Sequence, residues 1–246
     1  MKRTTMSLGG LLVAVAASTL ASAETWDVTT QFSIENGNPN GAWSYGWMEV
    51  GFGPLTLSTQ PIIGNDGPMW IGWGGDATPC IWRNTHDFPV FGIPPGSISI
   101  HPGNGTQPEV ARWTSPLGAS TTVHVVGAFL PGDGAYLPVT VRHNGNPVWD
   151  GNDSGAFDLQ LVVAPGDTID FAVYGGYLFG NTGLQATISS ASCVGDLDSD
   201  STVGPADLAM LLGAWGSIGG SADLDANGSV DAADLAVLLG AWGACR

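Results

Sequence analysis

FDLQLVVAPGDTIDFAV, residues 157–173, holds two short runs in which apolar and polar residues take turns. Phe157, Leu159, Leu161 and Val163 alternate with Asp158 and Gln160, and Ile169, Phe171 and Val173 repeat the pattern after the APGD turn at 164–167. A period of two places alternate side chains on opposite faces of a β-strand. The pattern continues outward. In TTVHVVGAF, residues 121–129, Thr121, Val123, Val125, Gly127 and Phe129 share one face. LPVTVRHNGNPVW, residues 137–149, has Asn144-Gly145 at its centre, the dipeptide favoured by two-residue hairpins because both positions tolerate positive φ. No helical period is convincing between residues 24 and 190. Short strands separated by Gly and Pro turns predict a mainly β fold there, an antiparallel β-sandwich or jelly roll. Residues 24–105 are richer in Gly and Pro and harder to divide into strands.

The ends of the chain read differently. Met1–Ala23 has a basic start (Lys2, Arg3), an apolar middle from Leu11 to Leu20, and Ala21-Ser22-Ala23. This is the pattern of a secretory signal peptide with an A-x-A-like cleavage site. No later stretch is long and apolar enough to span a bilayer. The expectation is an exported protein, secreted or held at the cell surface, with no membrane span after processing. Beyond Ala23 there is no lysine, and the basic residues are Arg83, Arg112, Arg142 and Arg246, in a chain with 22 acidic residues and net charge −16. Nucleic acids and anionic membranes need a cationic surface, so neither is expected as a partner. Bound cations are compatible with the charge. Three cysteines are present. Cys193 and Cys245 bracket the C-terminal segment and are expected to form a disulfide, worth about 4 kcal/mol for a loop of that length. Cys80 is left as a buried small hydrophobe or a free thiol.

That C-terminal segment is a repeat. DLDSDSTVGPADLAMLLGAWG at 196–216 returns 27 residues on as DLDANGSVDAADLAVLLGAWG. Counted from the first aspartate, positions 1, 3, 5, 7, 9 and 12 are Asp196, Asp198, Asp200, Thr202, Gly204 and Asp207, then Asp223, Asp225, Asn227, Ser229, Asp231 and Asp234. This is EF-hand loop spacing. Carboxylates so crowded repel one another unless a hard cation sits among them. Position 7 contributes a backbone carbonyl, so Thr202 and Ser229 need not be acidic. Gly228 suits the sharp turn at position 6, where Ser201 is a weaker choice. Leu208, Leu211, Leu212 and Trp215 then follow i, i+3, i+4, i+7, as do Leu235, Leu238, Leu239 and Trp242. Two helices are expected, packed on each other through these faces. Pro205 would open one and Asp231 would cap the other.

Residues 193–246 resemble a type I dockerin, whose repeats read DxDxDGxVxxxDLxxLL. The resemblance implies two bound Ca²⁺ ions and docking to a cohesin-like or cell-surface partner, usually in glycan-degrading assemblies. It departs at loop positions 10 and 11 and helix positions 17 and 18, where dockerins usually present polar recognition residues. Here these are Pro205-Ala206 and Ala232-Ala233, then Leu212-Gly213 and Leu239-Gly240.

EVARWTSP, VGAF, VTVRHNG and APGDTIDFAV, all within 24–190, resemble exported bacterial β-sandwich domains of the carbohydrate-binding-module type. The resemblance makes a polysaccharide a candidate partner. Flat aromatic faces suit sugar rings, so Trp43, Tyr45 and Trp47, alternating along WSYGWMEV, are candidate ligand contacts alongside the bland reading as core. Trp70 and Trp73, in a Gly-rich stretch expected to be loop-like, are further candidates. No HExxH, GxSxG, CxxC, P-loop or GxGxxG motif occurs. A glycosidase would need two facing carboxylates, for which Glu49 with Glu109 or Asp170 is the available choice. His86, His101, His124 and His143 are scattered and read as structural hydrogen-bonders, and Arg112 is expected to pair with a carboxylate of the sandwich. The expectation is a calcium-binding exported protein with a non-catalytic glycan-binding or surface-interaction sandwich and a tail for attachment or assembly. The alternatives are a dockerin-tethered polysaccharide hydrolase and a purely structural envelope protein.

Overall fold

The computed structural model describes residues 24–72, 78–105, 107–118, 120–133, 136–175, 180–190, 194–198, 200 and 202–244. The signal-peptide segment, Trp73, Cys193, Cys245 and Ser201 lie outside these. In chain order the strands are β1 (Thr25–Asp27), β2 (Trp43–Trp47), β3 (Thr56–Leu57), β4 (Gln60–Gly64), β5 (Gly67–Ile71), β6 (Cys80–Arg83), β7 (Ile98–His101), β8 (Glu109–Thr114), β9 (Thr121–Leu130), β10 (Pro138–His143), β11 (Asn146–Asn152), β12 (Gly155–Val163), β13 (Thr168–Val173), β14 (Thr182–Ser190) and β15 (Thr202–Val203). Helices α1 (Pro205–Gly213) and α2 (Ala232–Gly240) and strand β16 (Gly243–Ala244) follow. No helix of the described residues is long and apolar enough to cross a membrane.

The described residues cluster into two compact units. The first holds β1 to β14 in two antiparallel sheets. One runs β12-β9-β14-β7-β6-β5-β4, with β1 on the free stretch of β14, and the other runs β11-β10-β13-β8-β2-β3. Val123, Val125 and Phe129 of β9, Val139 and Val141 of β10, Phe157 of β12 and Phe171 of β13 belong to one buried cluster, so the apolar faces of the two sheets meet in a single core. Rings from both sheets touch there, Phe157 lying 5.6 Å from Phe171 and Phe129 stacking on Trp149 at 5.8 Å. Asn144-Gly145 makes the expected hairpin between β10 and β11, with φ 48° and 78°. The APGD turn closes through Asp167 N donating to Ala164 O, yet it joins strands of different sheets. From β7 to β14 every connection except the Asn144-Gly145 hairpin crosses from sheet to sheet, as in a jelly roll.

Arg112 and Asp170 face each other across β8 and β13, and the guanidinium forks onto the buried carboxylate at 2.6 and 2.9 Å. Each histidine has a structural contact. His124 meets Asp158 at 2.7 Å, His143 meets Asp167 at 3.2 Å, His86 meets Asn65 O at 3.1 Å and His101 meets Pro102 O at 2.9 Å. Cys80 is buried in β6.

The second unit folds as two interlocked copies. Val203 pairs with Gly243 across β15 and β16. In the other copy Gly216 N donates to Val230 O at 2.8 Å and Val230 N to Ser217 O at 3.0 Å. The loop of each repeat is thus tied to the residues just past the helix of the other. Val203, Val230, Leu211, Leu238 and Ala222 form its core, with Leu208 and Leu235 partly buried against it. The expected helix face is only partly right. Leu212, Trp215, Leu239 and Trp242 are 47–52% exposed. The reason is phase. Asp207 and Asp234 turn inward, so the buried stripe runs Asp207–Leu211 and Asp234–Leu238, continued by the partly buried Ala214 and Ala241 just past the helix ends. Leu212 and Leu239 fall well round the helix from that stripe, and Trp215 and Trp242 lie beyond the helix ends.

Candidate functional site

Each α-helix begins beside an aspartate that ties its loop together. Asp234 Oδ1 accepts from Leu224 N at 2.6 Å and Asp225 N at 3.2 Å, and its Oδ2 accepts from Asp231 N at 2.7 Å. Asp207 makes the same bonds from Leu197, Asp198 and Gly204, at 2.6, 3.2 and 2.7 Å. Burial pushes the Asp207 carboxyl up, but the Gly204, Leu197 and Asp198 amides outweigh it and the net shift is downward. Asp234 is held below the usual carboxylate range by the Asp231 amide against the opposing effect of burial, aided by Asp225 and Leu224. Both therefore stay ionised in the folded loop, as metal ligands must.

Two carboxylates converge on each of these. Asp196, Asp198 and Asp207 bring one oxygen apiece within 4.8 Å of one another, and so do Asp223, Asp225 and Asp234. In the second trio Asp223 is buried, and its Oδ1 has no hydrogen-bond partner among the described residues. A buried carboxylate oxygen left without a hydrogen bond is costly, and a cation held among these three carboxylates would satisfy it. The donor set is all oxygen, the chemistry of a hard ion such as Ca²⁺ or Mg²⁺ rather than a thiolate- or imidazole-seeking metal.

The remaining predicted ligands are placed less directly. Asp200 is exposed and stands outside its trio. Thr202 lies in β15. Asn227 donates through Nδ2 to Asp225 Oδ2 at 2.9 Å and accepts from Ser229 N at 2.9 Å. Asp231 caps α2 by accepting from Ala233 N at 2.8 Å, so its side chain acts as the predicted cap and is not one of the three convergent carboxylates. Gly228 has φ +95°, the conformation position 6 requires.

In the sandwich the aromatic candidates are mostly core. Trp43, Tyr45 and Trp70 are buried in the central cluster, which corrects their reading as ligand platforms. β2 has β8 on one side and β3 on the other, and its apolar face looks inward. Tyr45 meets Phe32 edge-on at 4.9 Å, and Trp43 lies 6.1 Å from Phe171. Trp70 sits in a strand, β5, rather than a loop, and its indole donates to Ser33 O at 2.9 Å. Trp47 is half-buried against Gly72, where an added Cβ would come within 2.8 Å of its ring. The carboxylates proposed for catalysis do not meet in a cleft. Glu109 is fully buried and Asp170 is buried under Arg112, while Glu49 is exposed.

A different part of the sandwich carries a pocket of about 350 Å³, lined by Trp26, Thr30, Gln31, Phe32, Ser33 and Asn36 together with the Asn40–Ala42 turn. Its residues lie in the Gly- and Asn-rich stretch that shows no period, and scattered amides in a loop carry no sequence signal.

No protein-family model matches the chain, and no curated protein does. Among solved structures it is similar to a family 35 carbohydrate-binding module from Clostridium thermocellum, at 14% identity over 37% of this chain and 77% of that one, with a TM-score of 0.28. It is also similar to a family 35 module from Paenibacillus barcinonensis, at 10% identity over 66% and 97% with a TM-score of 0.29. An Arthrobacter globiformis T6 isomalto-dextranase gives 12% identity over 68% and 32% with a TM-score of 0.32.

Proposed function

We propose that this is an exported calcium-binding protein. Residues 193–246 act as a dockerin-like attachment or assembly module, and the β-sandwich of residues 24–190 is a non-catalytic glycan-binding or surface-interaction module. The observation that carries the reading is the trio of convergent carboxylates made twice at a 27-residue interval, with Asp223 Oδ1 buried and unpaired. Two Ca²⁺ ions would each be held by Asp196, Asp198 and Asp207, or by Asp223, Asp225 and Asp234, with the backbone carbonyls of the seventh loop positions, Thr202 and Ser229, as the further oxygen ligands that the loop spacing assigns. The doubled, half-exposed Leu212–Trp215 and Leu239–Trp242 pairs support a docking role, since an apolar surface repeated by the fold has no use in a monomer's own core. Leu212 and Leu239, at helix position 17, are apolar where dockerins carry polar recognition groups, so the partner surface would be apolar too. A hydrolase built on Glu49 with Glu109 or Asp170 has no support in the geometry of those residues.

Calorimetric titration of chelator-stripped protein tests the reading. Two ions are expected per chain, and Asp223→Ala and Asp234→Ala are each expected to weaken the second by about tenfold or more, because charge count sets affinity in such loops. Helix content by circular dichroism should fall in excess chelator. Unchanged helix content, or no calcium uptake, overturns it.

A further inference from the structure

The pocket between Trp26 and Ala42 has the composition of a binding site for a neutral sugar. Its floor is apolar and fixed, because Trp26 and Phe32 are buried in the core. Trp26 packs on Trp113 at 5.2 Å, and Phe32 on Tyr45 at 4.9 Å. Its wall is polar, and hydrogen bonds orient Gln31 and Asn40 in it. The Trp43 indole donates to Gln31 Oε1 at 2.9 Å. An indole N–H is only a donor, so it sets the amide: oxygen toward Trp43, both Nε2 protons free to donate elsewhere. Asn40 Nδ2 donates to Gln31 O at 2.9 Å, which leaves Asn40 Oδ1 as an acceptor. The turn at Asn40–Trp43 is closed by two backbone hydrogen bonds of 2.7 and 3.0 Å, with Gly41 at φ +57°. Asp27 pins the other side through Thr29 N, Thr30 N and Thr187 Oγ1 at 2.9, 2.7 and 3.1 Å. The exposed Asn36 amide completes the rim and has no protein partner among the described residues.

We infer that this pocket binds a neutral saccharide unit, with the Gln31, Asn36 and Asn40 amides reading its hydroxyls over the Trp26–Phe32 floor. The inference rests on the glycan-binding reading of the sandwich and assigns its site and ligand class. Amides and hydroxyls offer donors and acceptors together, which suits sugar hydroxyls, while the buried Trp26 and Phe32 only close the pocket from below and offer no open ring face for stacking. None of the lining residues is charged, so neither a uronate nor an ammonium group finds a counter-ion. The volume lies at the small end of ligand pockets, which run from about 300 to 1,000 Å³, so it takes a chain end or a single ring rather than a long glycan. With no carboxylate in the lining, binding needs no calcium.

The test is titration of the full chain with cello-, xylo-, manno- and galacto-oligosaccharides, using oligogalacturonate as the anionic control, followed by tryptophan fluorescence. A neutral oligosaccharide should bind equally with calcium or with chelator. Asn36→Ala and Gln31→Ala should each weaken it roughly three- to tenfold, the scale of one lost hydrogen bond. Asn36 is exposed, so its variant keeps the test valid should Gln31→Ala destabilise the fold by stranding the Trp43 indole. Saccharide binding that neither variant changes overturns the site while leaving a glycan-binding sandwich standing. Binding of oligogalacturonate alone overturns the ligand class. No binding of any sugar overturns both the inference and that reading of the sandwich.

Discussion

Replacing Glu109 by glutamine should make the sandwich more stable at neutral pH and remove a pH dependence from it. Glu109 lies on β8 beside Trp47 and Val173 in register, fully buried, and neither carboxylate oxygen has a hydrogen-bond partner among the described residues. Burial alone pushes its carboxyl well above the ordinary value of 4.5. The folded protein therefore keeps this proton to a higher pH than the unfolded chain does. Below the unfolded pKa both states are protonated, and the residue adds no pH dependence. As the pH rises past that point the unfolded chain ionises first, and stability falls by at most about 1.4 kcal/mol per pH unit for one proton. The loss levels off once the folded pKa is passed. Glutamine keeps the shape and cannot ionise. Methionine also removes the unpaired polar group, a relief of about 1–3 kcal/mol. For a unit of this size that is roughly 2–12 °C in Tm. Urea unfolding of wild type and Glu109→Gln from about pH 4.5 to about pH 8 measures the difference directly, and subtraction cancels the other carboxylates. A gap that widens with pH is expected. A gap that stays flat, or a glutamine variant that loses ground as the pH rises, refutes the reasoning.

Arg112→Ala should cost about 3–5 kcal/mol, because it strands the buried Asp170 carboxylate, and a urea midpoint that barely moves would show that Asp170 has another partner. Tyr45→Phe removes a buried hydroxyl with no partner among the described residues. It should leave saccharide affinity unchanged and leave stability equal or higher by up to about 3 kcal/mol in thermal unfolding. Asp27→Ala should cost about 1 kcal/mol at neutral pH, a figure already discounted for its partial exposure. Burial raises the Asp27 pKa, but the Thr29, Thr30 and Thr187 donors outweigh it and the net shift is downward. Its contribution is thus present above the unfolded value of 3.8 and lost as pH falls through the folded one. The penalty of the variant should accordingly shrink in acid unfolding.

By itself, the sequence determined what is local. Alternation along 157–173 and 121–129 marked strands, Asn144-Gly145 marked a hairpin because both residues take positive φ, and the 27-residue repeat marked eight acidic positions, of which the structure gathers six into two trios and leaves Asp200 and Asp231 outside them. Those signals rest on backbone period and on charges close along the chain. Only the tertiary structure decided what depends on a second layer. A period of two tells which residues share a face, not what covers it. β2 is buried at Trp43, Ser44, Tyr45 and Gly46 in succession, so both its faces are covered and its aromatics become core rather than platform. APGD reads as a turn in either case, and only the pairing shows that it carries the chain between sheets. The helix faces shifted because the buried Asp207 and Asp234 must reach loop amides, a demand that leucine spacing does not record. The pocket around Gln31 exists because an indole from β2 and a turn at Asn40 meet across a loop, and nothing short of the fold brings them together.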